Sequence, residues 1–149
     1  MTNEQPIPAA SAYDYPLLIR HLLHTPMAQA RDEAIVYAKG RRYSYTTFGE
    51  RLGRLANALA GLGVRAGDTV GFMDWDSHRY LECFFAVPMI GAVLHTINIR
   101  LSPGQILYTI NHARDDVIFV HADFMPMIAE IRDRFERDIR IVPLSDYEE

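Results

Sequence analysis

The run Gly91 to Pro103, Gly-Ala-Val-Leu-His-Thr-Ile-Asn-Ile-Arg-Leu-Ser-Pro, constrains the fold more than any other part of the chain. Gly91 closes the helical pattern before it, because glycine enters the left-handed conformation that ends a helix at little cost. Val93 to Ile97 is an apolar, β-branched strand. Ser102-Pro103-Gly104-Gln105 then supplies a capping hydroxyl, a proline at the first helical position and a reciprocal glutamine, which opens the next helix. One strand held between two helices by connections of a few residues must return parallel to its predecessor.

The same alternation extends to both sides. Thr69 to Met73 reads as a strand, and Asp76 or Ser77 caps a helix running to Ile90, with Tyr80, Leu81, Phe84 and Phe85 on its buried side. After Pro103 a helix runs to Ala113 with Ile106, Leu107 and Ile110 inward. Val117 to His121 is a strand, Asp123 caps a helix to Arg137, and Ile139 to Val142 is a last strand. The order predicts an α/β fold, a mostly parallel sheet with helices on both faces.

Ahead of this unit, residues 1–14 read as a flexible leader and residues 15–149 as one partial domain. Pro16 opens a short helix carrying Leu18, Ile19, Leu22 and Leu23, which Thr25-Pro26 ends; His21 and His24 on it have no nearby third ligand. Ile35 to Ala38 and Arg42 to Tyr45 flank Lys39-Gly40-Arg41 as a β-hairpin, and the basic cluster Lys39, Arg41 and Arg42 is solvated loop charge or an anion site. Thr47 and Glu50 form a capping box before Phe48, Leu52, Leu55, Leu59 and Leu62 at helical spacing. Gly61, Gly63 and Gly67 follow a helix and precede a strand, the reverse of a phosphate-binding loop, so they terminate the helix.

Composition excludes several classes. A net charge of -4 and a pI near 5.8 leave no basic stripe for nucleic acid. A single cysteine, Cys83, excludes an internal disulfide and, among Leu81, Phe84 and Phe85, reads as a core thiol in a reducing, cytoplasmic setting. The N-terminus has neither a basic segment nor a continuous apolar stretch of a signal peptide. The longest apolar run, Cys83 to Leu94, is broken by Pro88 and Gly91, so no integral membrane segment is expected.

No phosphate-loop, dinucleotide-binding, zinc-protease or Cys-x-x-Cys motif occurs. The neighbouring carboxylates Asp32-Glu33, Asp115-Asp116 and Glu148-Glu149 read as loop and tail charges. The candidate site residues lie around the strand after Gly91, because ligands in open α/β sheets bind beyond the carboxyl ends of strands. His95 is either a hydrogen-bonded core histidine or a substrate contact. Asn98 and Arg100 are either solvated or receive a phosphate or carboxylate. Trp75, beyond the preceding strand, packs over the same edge.

Tyr43-Ser44-Tyr45-Thr46-Thr47-Phe48, the Gly63 to Asp68 turn, Asp76-Ser77 to Gly91, Gly91 to Pro103 and the strand Val117 to Asp123 together resemble the N-terminal region of AMP-forming acyl-CoA synthetases. The form His-Thr-Ile-Asn-Ile-Arg-Leu is most similar to the bacterial medium- and long-chain fatty acyl branch. The resemblance spans residues 15–145 or so and implies the large N-terminal domain of an adenylate-forming enzyme. It implies a two-step ligase using ATP, magnesium and CoA, whose phosphate loop, acidic motifs and C-terminal lysine belong downstream of Glu149. It also places Asn98 and Arg100 near the CoA entrance. The expectation is an N-terminal portion that is inactive alone, whose partners are the remainder of the ligase chain and a further copy of itself. The alternative is a stand-alone α/β binding module that kept the scaffold without the chemistry.

Overall fold

A computed structural model describes residues 11, 13, 15–37 and 40–146; the expected leader lies almost wholly outside these, as does Lys39. A 3-10 turn, Ile19–Leu23, passes into helix α1, His24–Gln29, so Thr25-Pro26 opens a helix instead of ending one. Proline is tolerated there because N–H groups in a first turn have no intrahelical partner. Strands β1 (Ala34–Tyr37) and β2 (Arg41–Ser44) form the expected antiparallel hairpin around Gly40.

Helix α2, Tyr45–Gly61, starts earlier than the Thr47–Glu50 box requires. Ser44 leaves β2 in an extended conformation and its hydroxyl accepts the Thr47 N–H at 3.2 Å, so Ser44 is the cap and Thr47 is already inside the first turn. Glu50 instead pairs with Arg54 one turn on, at 3.4 Å. The stripe Phe48, Leu52 and Leu59 is buried as its spacing predicts.

Strand β3 (Thr69–Met73) is followed by α3 (His78–Met89), β4 (Val93–Thr96), α4 (Pro103–Ala113), β5 (Val117–His121), α5 (Met125–Ile131) and β6 (Arg140–Leu144). These strands form a four-stranded sheet in the order β4-β3-β5-β6, parallel at every pairing. Alternate residues of each strand face opposite layers. Val70, Phe72, Val117 and Phe119 pack with Leu59, Cys83 and Val87 beneath α2 and α3. Met73, Ile118 and Val120 pack with Ile106, Ile110, Ile128 and Ile131 of α4 and α5. Both faces are therefore covered, as an all-parallel sheet requires.

Three helical expectations are corrected or sharpened. The cap of α3 is Ser77, whose hydroxyl accepts the Tyr80 N–H at 3.2 Å, and its buried side is Glu82, Cys83, Ala86 and Val87; Phe84 is 44% exposed. The capping box Ser102–Gln105 of α4 is complete in both directions. The segment after β5 is not one helix capped by Asp123: a 3-10 turn (Ala122–Phe124), α5 and a second 3-10 turn (Arg132–Arg134) replace it. Asp123 lies inside the first of these turns, which His121 caps by accepting the Asp123 N–H at 3.3 Å, and the Asp123 carboxylate accepts the Trp75 indole N–H at 2.8 Å.

Asp115 and Asp116 are likewise structural. Asp116 accepts the Thr69 N–H at 2.8 Å and pairs with Arg137 at 2.6 Å. Asp115 is fully buried, and its carboxylate lies 2.9 Å from Nδ1 of His95 on β4. Gly71 lies between them: a Cβ at that position would stand 2.9 Å from Asp115 Oδ2 and 3.0 Å from Ile118 Cγ1. Glycine is needed here for space, not for an unusual backbone angle. Gly71→Ala should lower stability by about 1–3 kcal/mol through overpacking, read as a lower urea midpoint with an unchanged slope.

Candidate functional site

β3 and β4 end side by side, and the residues just past them enclose a cleft of about 360 Å3. Asp74, Trp75 and Asp76 form one wall and Asn98, Ile99 and Arg100 the other, with Tyr80 and Phe84 of α3 also lining it. The apolar strands must turn outward at this edge because the sheet's hydrogen bonds stop, and polar residues take over.

Asp74 organises the first wall. Its buried carboxylate accepts from the Ser77 hydroxyl at 2.5 Å, from the Trp75 N–H at 2.8 Å and from two guanidinium nitrogens of Arg79 at 3.0 and 3.3 Å. Arg79 also reaches the Ser145 carbonyl at 3.3 Å and Asp146 at 2.9 Å, so it joins the end of β3 to the chain leaving β6. That contact holds the Asp146 carboxyl below the usual carboxylate range. Trp75 lies 4.9 Å from the Phe124 ring, centre to centre, and leaves part of its indole exposed to the cleft. Tyr80 and Phe84 stack at 5.4 Å, and burial pushes the Tyr80 phenol up to about 12, so it stays neutral.

On the second wall Asn98 Oδ1 accepts the Arg100 N–H at 3.0 Å and its carbonyl accepts the Leu101 N–H at 3.2 Å. This turn presents the exposed Arg100 at the rim, where no carboxylate of the described residues forms an ion pair with it. Asn98, Arg100 and Trp75 thus share one cleft. His95 does not line it; its Nδ1 is engaged by Asp115.

Asp74 and Arg79 were not singled out from the sequence. The one available signal was an acid directly after an apolar strand with an arginine five residues on, a pattern too common to carry meaning before the helix start between them is known.

Elsewhere, Arg41 and Arg42 line a second cleft with Tyr43, Thr47 and Arg51. Arg51 is committed to Glu82 at 2.6 Å and lies 5.5 Å over the Tyr43 ring. Cys83 is buried, and burial pushes its thiol above the ordinary range, which makes it an unreactive core residue. Among the described residues no group of three or more His, Cys, Asp or Glu is arranged to hold a metal, and no helix is long and apolar enough to cross a membrane.

Residues 23–148 match the family of AMP-binding enzymes. The chain is 38% identical over 123 residues to a 3-methylmercaptopropionyl-CoA ligase of Ruegeria lacuscaerulensis, covering 80% of this chain and 23% of that protein. It is 44% identical over 91 residues to a long-chain-fatty-acid–CoA ligase of Thermus thermophilus, covering 61% of this chain and 17% of that one. Its fold superposes on the anthranilate CoA ligase AuaEII, solved in complex with anthranoyl-AMP, with a TM-score of 0.75 and 28% identity over 87% of this chain and 26% of the other. The chain therefore spans less than a quarter of the length of the curated relatives it matches. Matched over most of its length in sequence and in fold, the chain belongs to the AMP-binding enzyme family, as an N-terminal part of an AMP-forming acyl-CoA synthetase.

Proposed function

We propose that this chain forms part of a ligase that activates a fatty or related carboxylic acid with ATP and passes the acyl group to CoA, and that its cleft beyond β3 and β4 receives the phosphate-bearing part of CoA. In such a ligase the carboxylate attacks ATP to give an acyl-adenylate and pyrophosphate, and the CoA thiol then displaces AMP. The observation that carries the reading is Arg100, a rim guanidinium outside any ion pair of the described residues and set in place by the Asn98 turn. A guanidinium binds phosphate oxygens through charge-assisted hydrogen bonds. The cleft, at about 360 Å3, suits a portion of CoA and not the whole molecule.

In this reading Asn98 orients Arg100, Trp75 and Phe84 offer apolar surface to the ligand, and His95 acts indirectly by holding β4 against the rest of the sheet. ATP and magnesium would be held by residues outside these 149, since this sequence contains no phosphate loop. The single, buried cysteine agrees with a cytoplasmic setting.

These 149 residues alone should release no pyrophosphate from ATP and medium-chain acids above a protein-free blank; release above the blank would show that the adenylation machinery lies within them. In an active ligase carrying this segment, Arg100→Ala should raise the apparent KM for CoA by about tenfold or more and leave the adenylation half-reaction unchanged. Asp76→Asn, which removes an acid from the same cleft, should move that KM the other way. Equal losses in both half-reactions would assign Arg100 to the fold.

A further inference from the structure

The first residue of α3, His78, is unused by the cleft described above, yet it is 5% exposed. Its ring lies 5.2 Å from the ring of Tyr37 on β1 and 6.3 Å from that of Tyr43 on β2, centre to centre, so with Phe48 of α2, 6.4 Å from Tyr43, it is one of the rings against which the hairpin docks. Its Nδ1 is buried and has no hydrogen-bond partner among the described residues. A polar atom in that state is tolerable on a neutral ring and costly on a charged one.

The surroundings have the same bias. β2 contributes Arg41, α2 contributes Arg51, and α3 itself contributes Arg79 and Glu82. The Glu82 carboxylate, which opposes this bias, is already shared: Arg51 donates to it at 2.6 and 3.3 Å, and the Tyr43 hydroxyl at 3.3 Å. Both phenols stay neutral, that of Tyr43 pushed up to about 12 by burial and by Glu82, and that of Tyr37 raised by burial with Asp146 and Asp74. An imidazolium at this place would meet carboxylates that are already committed, Glu82 to Arg51 and Asp74 and Asp146 to Arg79.

We propose that His78 is a proton-sensitive latch: neutral, it holds the β1–β2 hairpin on α3, and protonated, it releases it. Burial, reinforced by Arg41, lowers the basicity of the docked ring below the ordinary histidine value of 6.5. The docked state is then fully stable above that value and loses stability as pH falls through it toward the lower, docked value. Each pH unit in that window lowers the docked-to-released ratio about tenfold. Release would open the cleft of about 290 Å3 between the hairpin and α3, where Ile35, Val36 and Tyr37 face Leu81 and Phe84.

Hydrogen exchange on the 149-residue chain tests this, with rates corrected for the intrinsic pH dependence. Between pH 7.5 and 5.5, amides of residues 35–37 and 41–44 should lose protection relative to amides of α4. His78→Phe and His78→Gln, which cannot be protonated there, should remove most of that difference. Should both variants fold poorly, titration of the His78 ring by NMR in the unaltered chain decides, and its midpoint should lie below the ordinary value. Parallel loss of protection in the hairpin and α4, an undiminished hairpin loss in the variants, or a ring midpoint at or above the ordinary value would overturn the latch.

Discussion

Beneath the middle strand of the sheet, a fully buried carboxylate, Asp115, reaches past Gly71 to the imidazole of His95. The contact ties the segment entering β5 to β4, two strands away, and it does so only because β3 carries no side chain at the crossing. Burial raises the Asp115 pKa, and the His95 contact opposes that rise, so the carboxylate depends on its partner to remain at this depth. Removing one member of such a pair leaves the other unsatisfied in the interior, which costs more than the pair itself contributes. The parallel ladders set the register of β4, β3 and β5, and this contact adds a side-chain tie across it.

Where those strands end, a second set of polar contacts takes over. Arg79 links Asp74 to Ser145 and Asp146, and Asp123 links Trp75 to the turn after β5. The ends of β3, β5 and β6 are thereby fixed to one another and to the start of α3. The cleft has on one side this cross-linked wall and, on the other, a turn held by the Asn98 side chain and carbonyl, with Ile97, Ile99 and Leu101 packed into the core. Arg100 stands exposed on that turn, at the rim of the cleft.

Much of this was legible in the sequence. The strands from Thr69 to Met73 and from Val117 to His121 appear where their apolar runs lie, and Ser102–Gln105 caps α4 as its spacing predicts. Local signals failed where two residues competed for one role. Ser44 captured the start of α2 because it sits at the end of β2, ahead of Thr47, and His121 at the end of β5 took the capping role expected of Asp123. The burial of Asp115 and the exposure of Phe84 were illegible for a related reason: each is decided by what lies across the sheet or along a neighbouring helix, not by the residues beside it. His95 carried two readings in the sequence, and the ring is seen in its bond to Asp115. Asn98 and Arg100 were brought forward by their place after a strand end, and that place is the rim of the cleft.

The central claim is that the carboxyl edge of β3 and β4, and not the arginine-lined cleft beside the hairpin, is where this chain meets CoA. Mapping CoA onto the isotopically labelled 149-residue chain by NMR tests it most directly. The account predicts shifts at the Trp75 indole N–H, the Asn98 side-chain amide and the Arg100 Nε–H, with the signals of Arg41, Arg42 and Arg51 undisturbed. Shifts centred on those three arginines, or none at the β3–β4 edge at saturating CoA, would contradict it.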